Sequence, residues 1–138
     1  MMILIAGPYR SGTNDDPVLI QKNMDYLESV ALPIFRLGHM PIVGEWLALP
    51  IMKLAGSKRI GDEVFQEIQY PVAHRMLEKC DAVFRLEGAS TGADNDVRVA
   101  KELGLKVYYK LEDIQNSQAL NSGLSDSFSL FVTRATTE

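Results

Sequence analysis

Four short apolar runs alternate with longer segments of helical periodicity, and this alternation restricts the fold more than any other feature. A short run that is apolar throughout is typical of a strand buried on both faces. Strands that alternate with helices form parallel sheets through right-handed crossovers. The sequence therefore predicts an α/β fold of the Rossmann or flavodoxin-like type, a three-layer sandwich with a four- or five-stranded parallel sheet. The first run is expected at its centre, beside the second and third. The runs are Met2–Ala6, Met40–Val43, Asp81–Leu86 and Lys106–Tyr109.

The first helix has a clear start. Asp16 followed by Pro17 is a typical helix N-terminus, with a capping side chain and a proline in the first turn. Apolar residues continue from Ile20 at helical spacing, so we expect one helix as far as Leu37, kinked near Pro33.

Two later segments each contain a proline. Glu45–Ala55 is apolar but contains Pro50, and we interpret it as a lid or an interface segment rather than a strand. Asp62 is placed to cap a helix over Glu63–Tyr70, and a second helix is expected over Pro71–Lys79.

The composition is ordinary for a single globular domain. The chain has 138 residues, 46% hydrophobic and 23% charged, and a net charge of −4 without a basic block. These values argue against nucleic acid or a membrane surface as a partner. No run of 18 apolar residues is present, and the single cysteine, Cys80, fits a reducing compartment. We therefore expect a cytoplasmic protein, and we expect neither a metal ion nor an organic cofactor.

The character of the sequence changes near residue 115. Residues 1–114 hold the predicted α/β domain, whereas residues 115–138 are rich in Ser, Thr and Asn. This C-terminal tail is expected to be partly ordered. Alternatively, Ser127–Thr133 alternates in polarity and forms an edge strand.

Asp96 is unusual for its place on a helix. On a helix over Ser90–Gly104, the apolar arc contains Ala93, Val97 and Ala100, and Asp96 falls within that arc. Carboxylates are rarely buried without a partner, because removing their charge from water is costly. Asp96 therefore either faces a cavity or pairs with a cation such as the preceding strand's arginine, and the pattern alone favours neither.

Two glycine-containing loops are expected at the same sheet edge as Asp96. The first, Gly7–Thr13, brings backbone N–H groups and the forked donor Arg10, which suits phosphate or carboxylate. In the second, Ser90 is placed to cap a helix whose free N–H groups favour an anion. Because the strands before these loops are expected to be neighbours, Arg10, Ser90 and Asp96 are predicted to share one crevice. The alternative for the first loop is a plain turn with Arg10 in solvent.

Two blocks of sequence resemble the nucleoside 2-deoxyribosyltransferase-like superfamily, and in particular its small, largely uncharacterised bacterial and phage members. They are ILIAGPYRSG and DAVFRLEGASTGADNDVRVAKELGLKVYY, and the resemblance covers residues 2–110. It implies cleavage or transfer of the N-glycosidic bond of a (deoxy)nucleoside or a nucleoside 5′-monophosphate. It also implies that Asp96 occupies the position of the glutamate that attacks C1′ of the sugar in characterised members, a covalent route like that of retaining glycosidases.

The resemblance and the two loops together give a set of expected substrate-binding residues. Trp46, which follows the second strand, stacks on a base or packs against another subunit of a homo-oligomer, with Trp46–Met52 at the contact. The other expected binding residues are Gly7, Tyr9, Arg10, Ser11, Gly12, Ser90 and Gly92.

The sequence departs from the family pattern at two positions. Asp96 is one methylene shorter than the family's glutamate, and the family's aspartate before the third strand corresponds to Ala73 or His74. His74 and His39 are both expected in solvent. A second hypothesis therefore stands beside the enzyme, that of a non-catalytic nucleotide- or phosphosugar-binding module of the same fold.

Overall fold

The computed structural model describes residues 1–117, and the predicted tail strand at Ser127–Thr133 lies outside the described residues. A short 3-10 helix at Leu111–Asp113 follows the last strand. The strands and helices are β1 (Met2–Ala6), α1 (Pro17–Glu28), α2 (Ala31–Arg36), β2 (Met40–Val43), α3 (Gly44–Leu54), α4 (Glu63–Leu77), β3 (Ala82–Arg85), α5 (Thr91–Glu102) and β4 (Lys106–Tyr108).

The strands form one four-stranded parallel sheet in the order β2-β1-β3-β4. In the central pairs, Leu4 lies opposite Ile42 of β2 and Val83 of β3. The predicted fold class is confirmed, as is the central position of β1. Because all four strands run the same way, the segments that follow β1, β2 and β3 meet at one edge of the sheet.

Helices cover both faces of the sheet. This is required because successive side chains of β1 point to opposite faces and all of them are apolar. Ile3 and Ile5 pack in one core cluster with Leu27 of α1 and Phe65 of α4. Leu4 lies on the other face, in a cluster with helix residues that include Leu77, Val97 and Ala100. No helix in residues 1–117 has the length and apolar content needed to cross a bilayer.

The expected single helix from Pro17 to Leu37 is two helices. α1 ends at Glu28 and α2 begins at Ala31, so the break precedes Pro33 instead of following from a kink at it. In a continuous helix, Pro33 would leave the carbonyl of Ser29 without its N–H partner. In the separate α2, Pro33 falls in the first turn, where N–H groups have no intrahelical partner.

The prolines of α3 and α4 do not interrupt their helices, although two separate helices were expected on either side of the Tyr70–Pro71 bond. α3 continues through Pro50 and α4 through Pro71. Each proline removes one helical hydrogen bond, from the carbonyl of Trp46 or of Glu67. These four positions are exposed, so water can reach the carbonyls that lose their partners. The segment interpreted as a lid or interface is therefore a regular helix.

His39 is buried, in contrast to its expected place in solvent. The side chain is 3% exposed, and its two ring nitrogens contact the amino group of Met1 at 2.7 Å and the carbonyl of Gln115. Since a carbonyl only accepts, Nε2 carries the proton given to Gln115, and Nδ1 accepts from the Met1 ammonium. Both polar atoms of the ring are satisfied, which permits the burial.

Candidate active site

A cavity of about 190 Å³ opens at the carboxyl edge of β1 and β2. The loop after β1, the first turn of α3, the middle of α4 and the N-terminus of α5 surround it. This is the crevice where parallel α/β sheets place their ligands. It brings together most of the residues expected from the sequence, namely Gly7, Tyr9, Arg10, Ser11, Ser90, Gly92 and Asp96.

Two expected binding residues, Gly12 and Trp46, do not line the cavity. Gly12 has a φ of +73°, so it shapes the turn of the first loop. The indole of Trp46 is 38% exposed and its Nε1 donates to Glu28 of α1 at 2.8 Å. Successive positions of a helix are rotated by about 100°. Glu45 therefore faces the cavity, and Trp46, the next residue, points towards α1.

Ser90 is the N-cap of α5. Its Oγ accepts a hydrogen bond from the N–H of Ala93 at 3.1 Å, and the side chain is buried. The cap starts the helix at the rim of the sheet, so the N-terminus of α5 opens onto the cavity at Thr91 and Gly92. N–H groups in a first turn have no intrahelical partners and are suited to bind an anion or a hydroxyl.

Asp96 faces the cavity from the second turn of α5. Burial and the nearby charge of Glu45 raise the pKa of Asp96 to about 7, and the charge of Arg85 acts in the opposite direction. Arg85 donates to the carboxylate of Asp94, two residues before Asp96, at 2.9 Å, and it also donates to backbone carbonyls. Of the two alternatives for Asp96, the structure therefore shows the cavity and not an ion pair with Arg85.

Glu45 is a second carboxyl group in the cavity, and the sequence analysis missed it. It lies in the first turn of α3, directly after β2. Burial raises its pKa, while a hydrogen bond from its own backbone N–H acts against this rise. An acidic residue at the carboxyl end of a parallel strand could have indicated a site residue. Because an apolar segment follows Glu45, the whole segment was interpreted as a lid or an interface.

Tyr9 and Arg10 pack on the same aromatic ring. The ring centroids of Tyr9 and Phe65 are 6.5 Å apart, and the guanidinium of Arg10 lies 5.6 Å from the Phe65 centroid. Burial and the charge of Glu45 raise the pKa of Tyr9 to about 12. Arg10 makes a two-pronged ion pair with Asp15, at 2.8 and 3.1 Å, so an anion in the cavity would share the guanidinium with that carboxylate.

The two positions that correspond to the family's aspartate differ in placement. Ala73 lines the cavity with a methyl group. The ring of His74 lies 3.1 Å from the side-chain nitrogen of Asn95 and stacks obliquely with Tyr70, and it is not part of the cavity wall. The carboxyl groups of the cavity in residues 1–117 are therefore those of Asp96 and Glu45.

Comparison with known proteins gives one informative result. No protein-family model and no curated protein matches the chain. Among solved structures, the chain is similar to a 2-deoxyribosyltransferase from the psychrotolerant bacterium Bacillus psychrosaccharolyticus, a biocatalyst for the synthesis of antiviral and antitumoral nucleosides. The two share 15% identity with a TM-score of 0.56, over 78% of this chain and 69% of that one. At this identity the similarity shows a shared fold, and the chain therefore has the α/β fold of a 2-deoxyribosyltransferase.

Proposed function

We propose that the protein cleaves or transfers the N-glycosidic bond of a (deoxy)nucleoside or nucleoside 5′-monophosphate, with Asp96 as the nucleophile. The observation that carries this proposal is a half-buried carboxyl group, Asp96, at the wall of a cavity between two loops that favour an anion. Strongly perturbed carboxyl groups in a cleft are typical of catalytic sites. The similarity of fold to a 2-deoxyribosyltransferase supports the same reaction class.

The reaction takes place in two steps. An oxygen of ionised Asp96 forms a bond to C1′ while the bond from C1′ to the base nitrogen breaks, and the bonding electrons leave with the base. Water then attacks C1′ and displaces the carboxylate, which gives hydrolysis, or a second base attacks, which gives transfer. Each step passes through an oxocarbenium-like transition state, as in retaining glycosidases.

The size of the cavity agrees with a sugar as the part of the substrate that is enclosed. Its volume of about 190 Å³ lies below the range of about 300–1,000 Å³ that is usual for larger ligands. We propose that the sugar occupies the cavity and that the base lies at the mouth, near exposed Tyr70. Arg10 and the loop N–H groups would then hold a 5′-hydroxyl or 5′-phosphate.

The short side chain of Asp96 supports the second hypothesis, a nucleotide-binding module without activity. If the carboxylate is displaced by about 1 Å from its productive distance to C1′, the rate falls by about 100-fold. The module and the enzyme predict the same ligands but differ in whether the base is released.

A panel of nucleosides and their 5′-monophosphates tests the proposal, with free base measured by chromatography. We expect base release by the wild type. Asp96→Asn should lose release by at least 100-fold and keep nucleotide binding, because the amide has a similar shape but is a weak nucleophile. Asp25→Asn, at an exposed position of α1, is the matched control. Binding without release by the wild type would indicate the module, and full activity of Asp96→Asn would refute the assigned nucleophile.

We also propose a homo-oligomer. Leu47 and Ile51 on α3 are 48% and 45% exposed, and Leu54 is 88% exposed. Met52, which was expected at the contact, is instead 2% exposed within its own chain. A second copy would therefore cover the outer face of α3, while the inner face carries Met52 and Glu45.

A further inference from the structure

The cavity contains two carboxyl groups, and the mechanism above uses only one of them. Glu45 comes from α3 and Asp96 from α5, and the two are close enough for the charge of Glu45 to raise the pKa of Asp96. In residues 1–117, the carboxylate of Glu45 accepts a hydrogen bond from its own backbone N–H and from no other group. A half-buried acid with such a small set of partners is free to interact with a ligand.

The charges around the cavity affect how a proton is shared between the two carboxyl groups. Two carboxylates in a low-dielectric cavity resist simultaneous ionisation, so the pair retains one proton near neutral pH. The positive charge of Arg85 favours the ionised form of Asp96, whereas no cation in the described part of the chain offsets a charge on Glu45. Below about pH 7 the proton lies mainly on Asp96, because the charge of Glu45 raises its pKa. The reactive form is the one in which Asp96 is ionised, as a nucleophile requires, and Glu45 holds the shared proton.

Other groups near the cavity are poor proton donors. The hydroxyl of Tyr9 has a pKa raised to about 12, far above the range in which general acids work at neutral pH. Ala73 presents a methyl group, and the ring of His74 is directed to Asn95 outside the cavity wall.

We propose that Glu45 is a second catalytic carboxyl group, which protonates the departing base and then activates the acceptor. This inference rests on the proposed function. In the first step, the C1′–N bond breaks, its electrons remain on the base nitrogens, and the Glu45 proton moves to the base, which leaves Glu45 ionised. In the second step, ionised Glu45 takes a proton from water or from the second base as that nucleophile bonds to C1′ and the Asp96 oxygen leaves. Both carboxyl groups return to their starting states.

Two substrates that differ in their need for a proton test this role. The base of 2′-deoxyguanosine needs protonation to leave readily, whereas that of 7-methyl-2′-deoxyguanosine already carries a positive charge and leaves as a neutral molecule. Each is assayed as the nucleoside and as the 5′-monophosphate. We expect Glu45→Gln to slow release of guanine by about 100-fold or more, in line with the usual contribution of a general acid, and release of 7-methylguanine by less than 5-fold. Glu63→Gln, at an exposed position in the first turn of α4, is the matched control and should behave as the wild type.

A second variant separates the role from an effect on folding. Glu45→Ala opens space beside the substrate, and we expect added formate to restore part of its guanine release, while circular dichroism reports that the variant is folded. Equal losses on the two substrates, or no loss on either, would overturn the role of Glu45 and leave the proposed function intact. If the wild type releases base from none of the substrates, both proposals fail.

Discussion

Asp96→Asn is predicted to make the folded protein more stable at alkaline pH. A carboxyl group whose pKa rises from 3.8 in the unfolded chain to about 7 in the folded protein binds its proton more tightly when folded. Each tenfold change in a protonation equilibrium corresponds to about 1.4 kcal/mol. The ionised Asp96 therefore costs the folded state about 4 kcal/mol at pH 8. The amide carries no charge and avoids this cost.

Because the pKa of Asp96 is raised on folding, the stability difference between Asp96→Asn and the wild type should increase with pH. Below pH 3.8 the carboxyl group is protonated in both states, so the variant and the wild type should be equally stable. Between pH 4 and pH 7 the unfolded chain releases the proton while the folded protein keeps it, so wild-type stability falls with rising pH. The advantage of the variant should be about 2 kcal/mol at pH 5.5 and reach its full value above pH 7.

Urea and thermal denaturation between pH 4 and pH 8.5 measure this difference. For a chain of this size, the gain corresponds to a rise in Tm on the order of 10 °C at pH 8. Asp25→Asn controls for the loss of a single exposed negative charge. If Asp96→Asn is less stable than the wild type at pH 8, Asp96 is a partner of a cation in the folded state, and the reasoning from its burial is wrong.

Three further variants test the ion pair at the cavity, the core and the surface of α3. Asp15→Asn frees the guanidinium of Arg10, so calorimetry should show several-fold tighter binding of 5′-monophosphates and unchanged binding of nucleosides; equal changes would exclude Arg10 as the phosphate ligand. Leu77→Ala, at a fully buried position, should lower the free energy of unfolding in urea by about 3 kcal/mol, and a loss below about 1 kcal/mol would contradict its close packing. Ile51→Glu should convert the proposed homo-oligomer to a monomer in light scattering, and a wild type that is already monomeric at micromolar concentration would remove this interface.

The fold could be predicted because its determinants are local. The continuous apolar runs gave the strands, and Asp16 and Asp62 mark helix starts that the structure places at those positions. The errors occurred at proline, whose effect depends on the surroundings. Pro50 and Pro71 lie on exposed helix faces, where a missing helical hydrogen bond costs less than in the core, and no local pattern reports that exposure.

The site could be predicted only in part, because some of its contacts depend on tertiary packing and on unusual turns that no local pattern indicates. The helical arc placed Asp96 towards the interior, and the sheet topology brought Arg10 and Ser90 to the same edge. Glu45 was missed because its burial depends on how α3 packs against α4, which is a tertiary property. The pairing of Arg10 with Asp15 was missed because Asp15 has a φ of +60°, which a non-glycine residue adopts only in particular turns.

The helix α3 connects the proposed catalytic acid with the proposed contact between subunits. Glu45 enters the cavity, and Leu47 reaches the outer surface two residues later on the same rigid element. A second copy that binds this surface can therefore change the position of the acid without touching the substrate. By linkage, if association strengthens substrate binding, substrate binding strengthens association by the same factor. In that case, activity per molecule at low substrate concentration depends on protein concentration and falls on dilution.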